Sequence, residues 1–249
     1  EAGSSLWTWI AYFWEQHNEH RIVIPKLIYL IDMNLFNYQG YVPIVFIFLL
    51  QGLTVVMLAW LLAGKGLASW EVWLLVALFI AAAFNLMQSE NFASTFQTAF
   101  VGCFSFAVAA FVLYAKYTQN GRRSYLGGTV LFGILAGLSL APGLFVWIVL
   151  ALLAFLLHPR RYVQSLSFAA AFAASLLLYL AGYKSPGYHA NPVESLLRHP
   201  RTVAEYLLVW LGNIAGTPTS AKVLGLLAVL GLAAVTIYVV RFGKRRVEI

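Results

Sequence analysis

Acidic residues are scarce in this chain: nine Asp and Glu stand against 16 Lys and Arg among 249 residues. Cysteine is scarcer still, with Cys103 alone, which excludes an intrachain disulfide and a cysteine-ligated metal cluster. Lying inside an apolar run, Cys103 suits small-residue packing. Charge of either sign amounts to 10% of the chain, whereas 61% is hydrophobic and 16% aromatic. Together with a mean hydropathy of +0.80, this excludes an ordinary soluble domain and indicates a polytopic membrane protein. The net charge of +7 does not point to nucleic acid, because the basic residues are dispersed between hydrophobic segments instead of gathered in one stripe. Familiar site signatures are missing too: there is no phosphate loop, dinucleotide fingerprint, Gly-x-Ser-x-Gly elbow, His-Glu-x-x-His motif or Asp-rich calcium loop. The chain opens at Glu1 without Met, and no charged-then-apolar signal precedes Leu6, so an upstream helix is expected to be missing.

What the sequence does have is long apolar runs, at residues 43–63, 70–87, 95–115, 126–157, 162–182 and 221–240. Most match one bilayer crossing. The run 126–157 is too long for one, and Leu140-Ala141-Pro142-Gly143 interrupts it with a turn signal, so it reads as two short helices joined by a tight hairpin. With that hairpin, Lys65, the Lys116–Arg122–Arg123 group, Arg160 and Arg161, and the tail bearing Arg241, Lys244, Arg245 and Arg246 all fall on the cytoplasmic side. The expected fold is therefore all-α: a polytopic helical membrane protein with about seven transmembrane helices and interfacial helices in the first and last extracytoplasmic loops. One integral membrane domain covers 1–249. It divides into an outer loop at 1–42, six crossings at 43–182, an outer loop at 183–220, and a last crossing with a basic tail at 221–249.

The outer loops carry their own patterns. Ser4 or Ser5 is placed to cap a helix with an apolar stripe of Leu6, Trp9, Ile10 and Phe13, and Trp7 and Trp14 suit the headgroup zone, so this helix should lie along the membrane. After Pro25, the short apolar stretch from Lys26 to Asp32 predicts an interfacial helix. Asn191-Pro192-Val193-Glu194 reads as N-cap, first-turn proline and capping-box Glu for a helix to about Arg198, and Pro200 starts another that ends before Gly212.

Topology places three polar clusters on the outer face: Glu15 to Arg21, Gln88 to Asn91, and Tyr183 to Arg201. The first, Trp14-Glu15-Gln16-His17-Asn18-Glu19-His20-Arg21, concentrates polar groups beside an apolar surface, which favours a site over a solvated loop. His17 and His20 are three apart, a spacing that suits one helical face with Glu15 or Glu19 nearby. No third committed ligand accompanies them, so no metal is assigned, and a divalent cation lacks support. Glu19 and Glu15 are the candidate general bases, with Glu19 first. Arg21 has the planar donor fork that binds an oxyanion, against the alternative of a headgroup anchor. Glu90, Asn91 and Gln97 sit where one crossing ends and the next begins. Lys184, His189, Arg198 and Arg201, with His199, are candidates for an anionic headgroup.

The motif Trp14-Glu-Gln-His-Asn-Glu-His-Arg21, the segment Gln88-Ser-Glu-Asn-Phe92 with Phe96-Gln97, and Tyr188-His189 with Leu197-Arg-His-Pro200 resemble bacterial multi-pass membrane proteins of the GT-C glycosyltransferase type. The resemblance implies a polyprenyl-phosphate-linked sugar donor and an envelope glycan, lipid or protein acceptor, with membrane lipids as surroundings and no nucleic acid. It implies a site facing the periplasm or cell exterior at the bacterial cytoplasmic membrane. An acidic residue of the first outer loop, here Glu19 or Glu15, would be the catalytic base. Substrate-binding roles would fall to His17, His20, Arg21, Glu90, Asn91, Gln97, Lys184, His189, Arg198 and Arg201. The chain departs from better-known members in lacking an Asp-x-Asp or Asp-Glu pair in that loop and a large soluble C-terminal domain. Two other classes are compatible with the sequence: a lipid or glycolipid transporter, whose ionisable groups should line a path through the bilayer, and a non-catalytic envelope-assembly subunit.

Overall fold

The computed structural model describes residues 5–63, 65–85, 88–157, 162–184 and 192–242. Among these, the regular structure is helical: α1 (Leu6–Trp14), α2 (Val23–Phe36), α3 (Tyr41–Leu62), α4 (Ser69–Ala83), α5 (Ser89–Ala93), α6 (Thr98–Asn120), α7 (Arg123–Ser139), α8 (Val146–Leu157), α9 (Tyr162–Leu180), α10 (Pro192–Arg198), α11 (Pro200–Leu211) and α12 (Pro218–Phe242). Four stretches are long and apolar enough to cross a bilayer: Tyr41–Leu62, Thr95–Asn120, Tyr162–Leu180 and Pro218–Tyr238. At 1.5 Å per residue, the 22 residues of α3 extend about 33 Å, against a hydrocarbon core of about 30 Å. The 15 residues of α4, the 17 of α7 and the 12 of α8 are each shorter than one such stretch.

The chain forms two compact units, Glu1–Leu152 with Val163–Lys184, and Leu153–Tyr162 with Ser185–Ile249. In the first, α6 is the central helix and packs against α3 and α7. Small residues allow this: Ala99, Ala109 and Ala110 are fully buried, and Gly102 lies against Ser139 and Leu50. Thr54 of α3 donates to Ser105 of α6 at 2.9 Å, the kind of polar tie that joins helices where water is excluded.

The expected interruption falls at Leu140. Its backbone turns extended after α7, and Ala141–Phe145 follow as a 3-10 turn carrying Pro142. Gly143 is obligatory there, since a Cβ would stand 2.1 Å from the Ala136 carbonyl oxygen. The indole of Trp147 then covers Gly133 across the α7–α8 pair. Lys116, expected in a loop, belongs to α6, which continues to Asn120. Its stem is buried and its ammonium lies 5.1 Å from the Trp60 ring centroid, so an aromatic face replaces part of its hydration.

The short α2 packs against α3, α6 and α7. Asp32, only 2% exposed, accepts from the amides of Gly40 and Val42 at 2.8 Å each. A carboxylate thus satisfies orphan donors at the positive end of α3. In the second unit, α11 and α12 approach closely at Gly212 and Gly225, where a Cβ on Gly225 would meet the Leu208 carbonyl oxygen at 2.0 Å.

Candidate functional site

The segment from Trp14 to Arg21 folds as a tight hairpin, which corrects the expectation of two histidines on one helical face. His17 and His20 exchange both backbone hydrogen bonds, at 2.7 and 2.9 Å, and form an isolated antiparallel bridge around Asn18 and Glu19. Asn18 supplies the positive φ of 51° that a primed two-residue turn requires, and Asn tolerates it better than most residues. α1 ends at Glu15, whose amide bonds back to the Ala11 carbonyl, so the helical register is lost before His17. The His17 ring leans on Phe96, with centroids 6.3 Å apart, and His20 Nε2 lies 3.5 Å from the Glu19 carboxylate.

Arg21 fixes this hairpin to the end of α9. The residue is 5% exposed. Its Nε donates to the Tyr179 carbonyl at 2.9 Å, Nη1 to the Trp14 carbonyl and Nη2 to the Ala181 carbonyl. The guanidinium also lies over the Trp14 ring, 5.1 Å from its centroid. Among the described residues no carboxylate is in ion-pair range of it. Its charge is balanced by carbonyl dipoles at the C-terminal ends of α1 and α9, where the helix macrodipole is negative. Of its five N–H groups, one each on Nη1 and Nη2 is left after these bonds.

Two further side chains complete the clamp. Gln16 donates to the Lys184 carbonyl at 2.7 Å and accepts from the Lys184 amide at 2.9 Å, while also donating to the Asn18 carbonyl. Lys26 donates to the carbonyls of Tyr12 and Glu15 at 2.7 and 2.8 Å and lies over the Tyr12 ring. Burial pushes the Lys26 ammonium below the ordinary lysine range, with nearby Glu15 opposing that shift and Arg21 adding to it.

These elements border an open cavity of about 870 Å³, lined by Thr8, Ala11, Tyr12 and Trp14 of α1, by Glu15, Gln16, Asn18 and Arg21, and by Ala181, Gly182 and Lys184. Glu15, Arg21 and Lys184 thus all border one cavity. Glu19 does not line it; its backbone carbonyl accepts from the Tyr179 hydroxyl at 2.8 Å. Glu90 is exposed on α5, Asn91 donates to Gln88, and Gln97 closes the 3-10 turn before α6. That region is held by stacked Phe48, Phe84 and Phe92 and by Tyr29, which donates to the Thr95 carbonyl at 3.0 Å.

Arg198 and Arg201 belong to the second unit, where they pair with Glu194 and Glu205 at 3.0 Å each, one helical turn away. Lys222 of α12 meets the other Glu205 oxygen at 2.6 Å. His189 lies outside the described residues. Among those described, no group of three or more His, Cys, Asp or Glu is arranged to hold a metal ion.

The chain matches no family model. No curated protein and no solved structure matches it either. The residues that sequence reasoning passed over are Gln16, Lys26 and Tyr179. Gln16 stood in the conspicuous polar segment, and its role depends on the backbone of residue 184; Tyr179 was hidden in an apolar run.

Proposed function

We propose that this protein is a membrane glycosyltransferase of the GT-C type, with seven crossings, moving a sugar from a polyprenyl-phosphate carrier to an envelope acceptor at the extracytoplasmic face of a bacterial inner membrane. One observation carries this reading: Glu15, Arg21 and Lys184 line a single cavity beside the end of the apolar helix α9. Glu15 takes the role of base in place of Glu19, because it lines that cavity. The acceptor hydroxyl gives its proton to Glu15, and its oxygen bonds to the anomeric carbon. The bond from that carbon to the carrier phosphate breaks, and the electron pair leaves on the phosphate oxygen. Configuration inverts. Lys184 and the remaining Arg21 N–H groups stabilise the departing phosphate.

The test is transfer by the purified, reconstituted protein from a panel of undecaprenyl-phosphate hexoses. Glu15→Gln is expected to lower the rate by about 100-fold or more, within the range general-base catalysis supplies, while Glu19→Gln keeps most activity. A wild-type rate in the Glu15→Gln, Glu19→Gln double variant would remove both carboxylates from the mechanism. Absence of transfer from every donor by the unsubstituted protein would overturn the transferase reading.

A further inference from the structure

α1 presents two unlike faces. At 100° per residue, Leu6, Trp9, Ile10 and Phe13 centre on one side, and Thr8, Ala11, Tyr12 and Glu15 on the side diametrically opposite. The second set lines the cavity. The first set is largely uncovered, with Leu6 72% exposed, Trp9 42%, Ile10 48% and Phe13 half-buried; Tyr12 of the second set is exposed as well, and none of the helix is buried. α1 carries no charged residue between Leu6 and Trp14, so water is a poor neighbour for that stripe.

Its position relative to a crossing is fixed by one guanidinium. Arg21 bonds the carbonyl of Trp14, the last residue of α1, and that of Ala181, the first residue beyond α9. α9 is long and apolar enough to cross a membrane, so the C-terminal end of α1 sits where that crossing ends, at the boundary of the hydrocarbon. Trp7, Trp9, Tyr12 and Trp14 are amphipathic rings of the kind that settle in this layer. Nine residues extend about 14 Å, too short to cross.

We propose that α1 lies in the headgroup layer of the bilayer with Leu6, Trp9, Ile10 and Phe13 among the lipids, and roofs the cavity with its opposite face. Lipid contact then holds the roof in place, and the cavity opens at the membrane surface. This inference stands apart from the transferase reading and survives its failure.

Single cysteines placed in turn at residues 6–13, spin-labelled in phosphatidylcholine–phosphatidylglycerol vesicles, test it. Cys103 is buried in α6 and stays in place, the unsubstituted chain serving as the labelling control. Accessibility to oxygen, which concentrates in lipid, is expected to peak at 6, 9, 10 and 13 with a 3.6-residue period, while accessibility to a water-soluble nickel chelate peaks at 8 and 11. Chelate maxima at 6, 9, 10 and 13 would place the stripe in water. Minima for both reagents there would place it against protein, such as a second copy of the chain. Either of these results overturns the proposal.

Discussion

Arg21 and Tyr179 hold each other through backbone and side chain at once: Arg21 Nε donates to the Tyr179 carbonyl at 2.9 Å, and the Arg21 amide donates to the Tyr179 hydroxyl at 3.3 Å. The same hydroxyl donates to the Glu19 carbonyl at 2.8 Å, so one tyrosine fastens the loop on both sides of His20.

Breaking this clasp is predicted to loosen the first loop. Arg21→Lys keeps the charge but loses the fork, and its cost is expected at about 1.5–3 kcal/mol, the range for hydrogen bonds to a charged group. Tyr179→Phe, which removes only the hydroxyl, is expected to cost about 1–2 kcal/mol. Thermal unfolding of the detergent-solubilised protein ranks the two; an Arg21→Lys midpoint equal to the native one would show that the clasp contributes nothing.

The hairpin makes Asn18 a conformational position. Asn18→Gly should be neutral within a few tenths of a kcal/mol, whereas Asn18→Val places a β-branched residue at φ 51° and is expected to cost about 1–2 kcal/mol. Equal stability of the two variants would contradict the turn and restore a helical reading of His17 and His20.

Glycines separate in the same assay by what a methyl group would meet. Gly143→Ala drives a Cβ against the Ala136 carbonyl, with a predicted loss of at least about 1–3 kcal/mol from overpacking. Gly52, inside α3, has nothing within 4 Å, so Gly52→Ala is expected to be neutral or stabilising by up to about 1 kcal/mol.

Acid should weaken the tie that Glu205 makes between α11 and Lys222 of α12. Hydrogen bonds from Lys222 and Arg201 hold the Glu205 carboxyl below its ordinary value of 4.5. A depressed carboxylate binds fewer protons in the folded state, so its contribution is complete above pH 4.5 and fades as pH falls through the lowered folded value. Protection factors in residues 200–211, with the intrinsic pH dependence of amide exchange divided out, should therefore fall on acidification below that point in the native chain, and Glu205→Gln should remove that fall. An unchanged profile in Glu205→Gln would assign it to another group.

Several local signals in the sequence have the local effect expected of them. Ser5 caps α1 by accepting from the Thr8 amide, Pro192 and Pro200 open α10 and α11, and the Leu140 break divides the longest apolar run. Distant backbone was invisible. The anchoring role of Arg21 could not be read from the sequence, because its acceptors, the carbonyls of residues 179 and 181, leave no trace in side-chain chemistry. Glu15 and Glu19 were indistinguishable for a related reason: a helix end and a turn, both fixed by backbone hydrogen bonds, decide which of them lines the cavity. The His17–His20 spacing misled because three residues suit a helical face and a two-residue hairpin equally, and Asn18 was the discriminating letter.

The two ends of α2 are bolted to different neighbours. Lys26 grips the carbonyls closing α1, and Asp32, six residues and about 9 Å further along the axis, grips the amides opening α3. One 14-residue helix therefore ties the rim of the cavity to the first turn of a helix long enough to cross a bilayer.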